Sequence, residues 1–289
     1  MQHAHVRTAL TAQRGGFLAG FTHTLQPYIG CAFGRRGAGG QGCPFCYVRR
    51  MPVGLWQAAP WGDVVRAKVN VAQVLDGELT RLEARGELSR TRIFLGSATD
   101  PYQAVEARQM LTRACLQAFV RHPPALLVVQ TRSPLILRDA DVLAALGACV
   151  WVSMTVETDD EAVRRTVTPT CAPIAARISA MTALRARGIA VQAAVSPVLP
   201  CDAAHLTAML KPACDRVVVD TLWHGDGASG RRSRALGMPE MLERNGWGSW
   251  CDEHAHEAVL AAFVREFGSE AVGFSVAGWN ALEPLARSC

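Results

Sequence analysis

The chain has 289 residues, 49% apolar and 19% charged, which fills a large core and excludes a disordered chain. That length is comfortable for one α/β barrel and long for one sandwich. The net charge is +5, and of thirty basic residues only Lys68 and Lys211 are lysines; the best arginine run, Arg231, Arg232 and Arg234, is too short to imply a nucleic-acid partner, so the excess reads as composition.

The opening stretch, MQHAHVRTALTAQRGG, has no apolar signal core, and no run of about 18 apolar residues follows it. We therefore expect no membrane partner and a cytoplasmic protein. Short β-branched runs bounded by Gly, Pro, Asp or Ser predict strands at 17–25, 92–95, 126–131, 150–155, 189–195, 216–220 and 271–276. Helical periodicity fills the gaps. Val71, Val74, Leu75, Leu79 and Leu82 make one stripe over 71–85, with Gly86 able to cap it. Leu111, Cys115, Ala118 and Phe119 make another over 106–122, stopped by Pro123 and Pro124. Helices at 173–187, 202–210 and 252–267 complete the set. One connection per strand means a parallel β/α architecture, and six or seven such units suit a barrel, open or closed. The expectation is a single domain over 1–289, with a core at about 17–225 and a C-terminal extension at about 226–289. In such folds chemistry sits in the loops after the strand C-terminal ends.

Ten cysteines without a signal peptide point to metal binding, redox chemistry or burial in a reducing compartment. Three of them fall in the loop after the first strand: Cys31, and then Cys43 and Cys46 as a C-x2-C pair beyond a glycine-rich stretch. Soft thiolates at that spacing suit an iron–sulfur cluster or zinc. Zinc would have to recruit a fourth ligand from His23 or from the scattered Cys115, Cys149, Cys171, Cys201, Cys214, Cys251 and Cys289. A cluster with three protein cysteines and one open iron needs no recruitment. Ordinary burial does not call for three cysteines in one glycine-rich loop.

The stretch Pro27-Tyr28-Ile29-Gly30-Cys31, followed by Cys43-Pro44-Phe45-Cys46-Tyr47, resembles the cluster loop of radical S-adenosylmethionine (SAM) enzymes, in particular the spore photoproduct lyase-like branch. The resemblance implies a partial (β/α)6 TIM-like barrel with a 4Fe-4S cluster on Cys31, Cys43 and Cys46. It implies SAM on the open iron, reductive cleavage to methionine and a 5′-deoxyadenosyl radical, and hydrogen abstraction from a substrate. A flavodoxin- or ferredoxin-like reductant protein is the implied partner. The chain departs from the family at one point: eleven residues, Arg35 and Arg36 among them, separate Cys31 from Cys43 where the family has three. Closure entropy grows only logarithmically, so the longer loop costs roughly 1 kcal/mol.

Later loops extend the resemblance. Gly96 to Gln103 is similar to the family segment that meets the SAM amino group and offers Ser97, Thr99 and Asp100; read alone it is equally a turn into a helix. Arg132 stands where relatives carry a lysine facing the SAM carboxylate, or is a solvated strand-end arginine. Ser153, Thr155 and Glu157 share one face of a strand and suit ribose hydroxyls, or form a polar barrel layer. Ser196 belongs to an apolar, proline-stiffened segment that can pack on adenine, and Tyr47 follows the last cluster cysteine. Arg164, Arg165 and Arg177 read as surface or structural. Cys201 and His224 are the catalytic candidates, each with a structural alternative as a small buried residue or a loop residue. All three tyrosines, Tyr28, Tyr47 and Tyr102, lie in family-like segments.

Competing readings are a DNA photolesion repair enzyme, a non-catalytic zinc or iron–sulfur protein, and a degenerate barrel that binds ligand within a larger complex. The repair reading is disfavoured, and a nucleic-acid partner with it. The resemblance places a cysteine hydrogen donor in the loop after the second strand, where this chain has Ser97-Ala98-Thr99.

Overall fold

The computed structural model describes residues 2–37, 40–57 and 59–284. Seven parallel strands lie side by side in chain order: β1 His23–Leu25, β2 Arg92–Leu95, β3 Leu126–Thr131, β4 Val150–Thr155, β5 Ala190–Val195, β6 Arg216–Val219 and β7 Val272–Phe274. Strand Leu10–Ala12 runs antiparallel along the outer edge of β1. One longer helix lies in each crossover: α1 Val71–Ala84, α2 Leu111–Arg121, α3 Ala140–Leu146, α4 Ile174–Arg185, α5 Ala203–Leu210 and α6 Glu257–Phe267. This is the open, partial barrel expected of the strand–helix alternation. All residues of β4, β5 and β6 are buried, because helices cover the outer face of the sheet and the barrel interior is filled. The segment beyond residue 226 supplies β7, which pairs Val217 with Val272 and Val219 with Phe274.

Three elements differ from expectation. The first strand starts only at His23, because Gly15 and Gly16 at positive φ and a turn through Phe17 and Gly20 occupy its front. The 106–122 helix breaks at Met110, whose φ is 56°. Glu106 then turns its buried carboxylate back to accept from the Thr112 backbone N–H at 3.0 Å, serving the exposed amides of the new helix start. The last long helix starts at Glu257, because 252–256 form turns.

The barrel interior changes character along its axis. Toward the N-terminal strand ends, Phe94, Leu126, Val128, Trp151 and Ala190 pack with Phe21, Trp279 and Leu282. Phe94 meets Phe21 edge-on at 5.1 Å and Trp279 at 5.7 Å. Asn280 Oδ1 accepts from Gly20 N at 2.7 Å, so segments from both ends of the chain close this floor together. Above it runs a polar column. Arg216 donates to Gln192 Oε1 (2.9 Å), Gln192 to Ser153 Oγ (3.0 Å), and Gln130 to Thr155 Oγ1 (2.6 Å). Among the described residues no helix is long and apolar enough to cross a membrane.

Candidate active site

The loops at the C-terminal strand ends are held by two amide side chains, one half-buried and one buried. Gln26, directly after β1, donates to Ser97 Oγ at 2.7 Å and accepts from Thr99 N and Oγ1 at 3.1 and 3.0 Å. This clamps the loop after β1 to the loop after β2. Gln103, fully buried, accepts from Ala32 N (2.8 Å) and donates to Gly30 O (3.2 Å), fixing the backbone on both sides of Cys31. The Tyr28 hydroxyl donates to Glu106, and the Tyr47 hydroxyl donates to Ser97 O at 2.8 Å. Gly96, at φ +100°, brings β2's exit against β3; a Cβ there would stand 2.5 Å from Gln130 O.

The long insert loops out and returns. Its strands Arg36–Gly37 and Gly40–Gln41 pair as a hairpin, and Gly42 N donates to Arg35 O at 3.1 Å. A Cβ on Gly42 would lie 2.2 Å from Phe33 O and 2.7 Å from Thr170 Oγ1, so only glycine closes the loop this tightly. Arg49 donates to the carbonyls of Gly34 and Gly42 and bolts the two stems together. The closure returns Cys43 to the same cleft as Cys31.

That cleft encloses about 830 Å³, part of it open to solvent. Cys31, Cys43, Cys46, Tyr47, Ser97, Thr99, Asp100, Arg132, Thr155 and Ser196 all line it. Burial pushes the Cys31 thiol up to about 12, with the charges of Asp100 and Cys46 adding to the rise. Cys43 is raised by its hydrogen bond with Cys171, then by burial, with Cys46 adding a smaller push. The mirror of that bond holds Cys171 down at about 7. Thiolates this close and this dry repel one another, and a bound cation reverses the penalty. Among the described residues no three Cys, His, Asp or Glu side chains already stand as a metal cluster; Cys43 Sγ instead sits 3.2 Å from Arg132 Nη1. The donor set, three soft thiols on one cavity wall, fits a thiolate-ligated iron–sulfur centre.

Beside the thiols lies a buried charge trio. Arg132 Nη1 is 3.0 Å from Glu157 Oε1, and Arg177 Nη1 is 2.7 Å from Glu157 Oε2. Arg177 is wholly buried and also donates to Thr155 O at 2.8 Å. Burial alone would raise the Glu157 carboxyl, but Arg132 and Arg177 outweigh it and hold it below the usual range. Two guanidiniums against one carboxylate leave the trio one positive charge in surplus, facing the cleft through Arg132, whose guanidinium lies 5.8 Å over the Phe45 ring. Asp100 spends both oxygens locally, on Tyr102 N (2.8 Å) and Thr131 Oγ1 (2.7 Å) through one and on Arg132 N (2.8 Å) through the other.

The radical SAM superfamily profile matches residues 26–200, the stretch that contains every one of these groups. The chain belongs to the radical SAM superfamily. Uncharacterized proteins of Mycobacterium tuberculosis are 30% identical over 184 residues, covering 62% of this chain and 50% of theirs. The uncharacterized protein ORF301 of Acidianus two-tailed virus is 25% identical over 167 residues, 55% of this chain and 52% of its own. The chain thus spans about half the length of the curated relatives it matches. Spore photoproduct lyase complexed with dinucleoside spore photoproduct superposes with a TM-score of 0.62 at 11% identity, over 94% of this chain and 80% of that one. A variant of that lyase with bound AdoMet and the dinucleoside gives 0.58 at 13% identity, over 88% and 76%. These structures share the fold. Superfamily membership implies SAM and an iron–sulfur centre as ligands.

Three expected residues lie outside the radical SAM cleft. Ser153 points into the same interior as Thr155, but one layer lower, where Gln192 holds it. His224 bonds Thr221 Oγ1 at 2.9 Å and packs its ring near His256 (5.7 Å) and Phe274 (5.4 Å). Cys201 opens onto a separate depression with Asp159, Asp202 and His205, and burial followed by the Asp159 charge pushes it up to about 12. Arg177 and Arg164 are buried rather than superficial, Arg164 donating to Cys171 O at 2.8 Å. Cys171, one of the scattered cysteines, reaches Cys43, and no sequence spacing marks it. Gln26 and Gln103 were legible only as family-segment residues. Asp226, after β6, accepts from Ala228, Gly230, Arg232 and Ser233 backbone amides and shapes the far rim of the radical SAM cleft.

Proposed function

We propose that the protein is a radical SAM enzyme in which Cys31, Cys43 and Cys46 hold a 4Fe-4S cluster and the cleft holds SAM. One observation carries this reading: an insert of eleven residues folds into its own hairpin, so the three cysteines still line one cavity with the loops after β2 to β6. When bound, the cluster and SAM supply reductive cleavage of SAM to a 5′-deoxyadenosyl radical that takes a hydrogen atom from substrate. The chain's own residues orient and exclude. The small residues Gly96, Ser97 and Ala98 let backbone approach the amino group. Arg132, which shares Glu157 with Arg177 and so keeps part of its charge uncompensated, faces the carboxylate. Thr155 and Gln130 offer hydrogen bonds to ribose, and Ser196, Pro197 and Leu222 pack on adenine. Phe33, Val48 and Trp61 close the wall beside the thiols against water. The electron comes from a flavodoxin- or ferredoxin-like protein.

Anaerobic reconstitution with iron and sulfide, then dithionite and SAM, tests the reading. The expected result is a brown protein absorbing broadly near about 400 nm that forms 5′-deoxyadenosine. Alanine at Cys31, Cys43 or Cys46 should each abolish the product. A colourless protein holding one zinc, or full activity in Cys31→Ala, overturns the assignment.

A further inference from the structure

The chain's charge is concentrated around the cluster loop. Residues 31–66 contain five arginines (Arg35, Arg36, Arg49, Arg50, Arg66) against one acid, Asp63, a surplus of four in a molecule of net charge +5. Elsewhere many surface arginines face a carboxylate: Arg113 meets Asp141, Arg121 meets Asp76, Arg185 meets Asp215, and Arg234 meets Glu253. Arg35 and Arg50 are exposed, and among the described residues neither forms an ion pair.

The same segment exposes apolar side chains. Trp56 is 83% exposed, Leu55 57% and Val53 39%. They sit on and just after the short helix Pro52–Leu55, which is packed on the 3-10 turn Tyr47–Arg50 that follows Cys46. The packing is close: a Cβ on Gly54 would stand 2.2 Å from Val48 O. Backbone bonds step outward without a gap, from Arg49 N to Cys46 O, Met51 N to Val48 O, Gly54 N to Met51 O and Trp56 N to Pro52 O. Ten residues of such tight turns span at most about 20 Å. An indole and an isobutyl group are therefore held in water a short way from a cluster cysteine.

We propose that Val53, Leu55 and Trp56, with Arg50 on the turn beneath them, form the docking face for an acidic protein electron carrier. Resting on the radical SAM reading above, this assigns the electron's point of entry: the carrier loses one electron, the centre on Cys31, Cys43 and Cys46 gains it, and no proton or group moves. An aromatic centre beside an arginine is the anatomy of a protein–protein contact. A face this small suits the brief, low-area encounters of electron transfer. The positive field steers an acidic partner to it and makes the encounter salt-dependent. A nucleic acid would instead need a basic stripe following its phosphates, and the middle of this face is apolar.

The test uses the reconstituted full-length protein and two probes, flavodoxin hydroquinone and reduced ferredoxin, with cluster bleaching followed by stopped flow. Trp56→Ala and Arg50→Glu should each slow reduction by at least one carrier about tenfold or more. Added salt should slow the wild type in the same way. Both variants should keep wild-type thermal unfolding and wild-type 5′-deoxyadenosine formation with dithionite. Wild-type reduction rates in both variants overturn the proposal. So does reduction of the wild type by neither carrier while dithionite succeeds. Loss of binding to a fluorescent DNA oligonucleotide, with carrier reduction intact, reassigns the face to nucleic acid and also overturns it. If the wild type forms no cluster and no 5′-deoxyadenosine even with dithionite, the radical SAM reading itself has failed and takes the docking face with it.

Discussion

The two ends of the barrel close in opposite ways. The floor is apolar: Phe21, Phe94, Trp151 and Trp279 fill the interior, and hydrogen bonds such as Asn280 to Gly20 only register the segments. The roof is polar: Gln103, Asp100 and Glu157 are buried and Gln26 half-buried, and each holds two or more partners in place. Burial of hydrocarbon is non-directional, so damage to the floor lowers stability while leaving roof geometry alone. Hydrogen bonds and ion pairs are directional, so damage to the roof should misplace the cleft before the molecule unfolds.

The largest effect that separates the two ends is expected at Glu157. Glu157→Ala leaves the buried Arg177 and the half-buried Arg132 without their shared carboxylate, at about 3–5 kcal/mol. Urea unfolding should show that loss, and calorimetry should show weaker SAM binding as Arg132 loses its position. Unchanged SAM affinity would mean that the trio serves the fold alone.

Asp220 follows the C-terminal end of β6 and is fully buried beneath Thr221 of the cleft lining. Burial pushes its carboxyl up to about 7 from an ordinary 3.8. Below about pH 4 both the folded and unfolded forms are protonated. From there to about pH 7 the unfolded chain gives up its proton first, so stability falls as pH rises, by at most about 4 kcal/mol. Asp220→Asn should flatten that slope and raise the melting temperature at about pH 8 relative to wild type, with little change at about pH 4. Parallel pH profiles for the two proteins would show that Asp220 is ionised in the fold.

Trp279→Ala tests the floor. A cost of about 3 kcal/mol is expected, with iron content and SAM affinity of the folded protein unchanged. A parallel loss of SAM affinity would show that the two ends are coupled. The smallest effect belongs to Gln26→Ala, which removes the clamp between two roof loops: about 1 kcal/mol in stability but a several-fold rise in the SAM concentration needed for half-saturation.

The strands were legible because most are short β-branched or apolar runs that the barrel buries, and six of the seven both start and end within a residue or two of the pattern. The first did not, since hydrophobicity in Phe17, Leu18 and Phe21 marks burial without saying that a turn provides it. The 106–122 helix read as continuous because its apolar stripe is continuous; the break at Met110 comes from Glu106 turning inward to Tyr28 and Arg138, partners distant in sequence. The cleft was legible where a motif kept its spacing, as at Cys43, Cys46 and the loop after β2. Ser153 shows the limit of a period-two argument, which gives the face of a strand but not the height along the barrel.

Local chemistry alone determined the parallel β/α order, the thiol donors and the loops that carry polar groups, since periodicity, turn residues and C-x2-C spacing act over a few residues. Only the tertiary structure decided that the insert returns Cys43 to Cys31, that Glu157 serves Arg132 and Arg177, that Cys171 reaches Cys43, and that Trp279 seals the far end. Each of those joins groups tens to hundreds of residues apart. Such contacts form only when the whole barrel has buried its apolar surface, and burial constrains composition at a position far more than it names a partner.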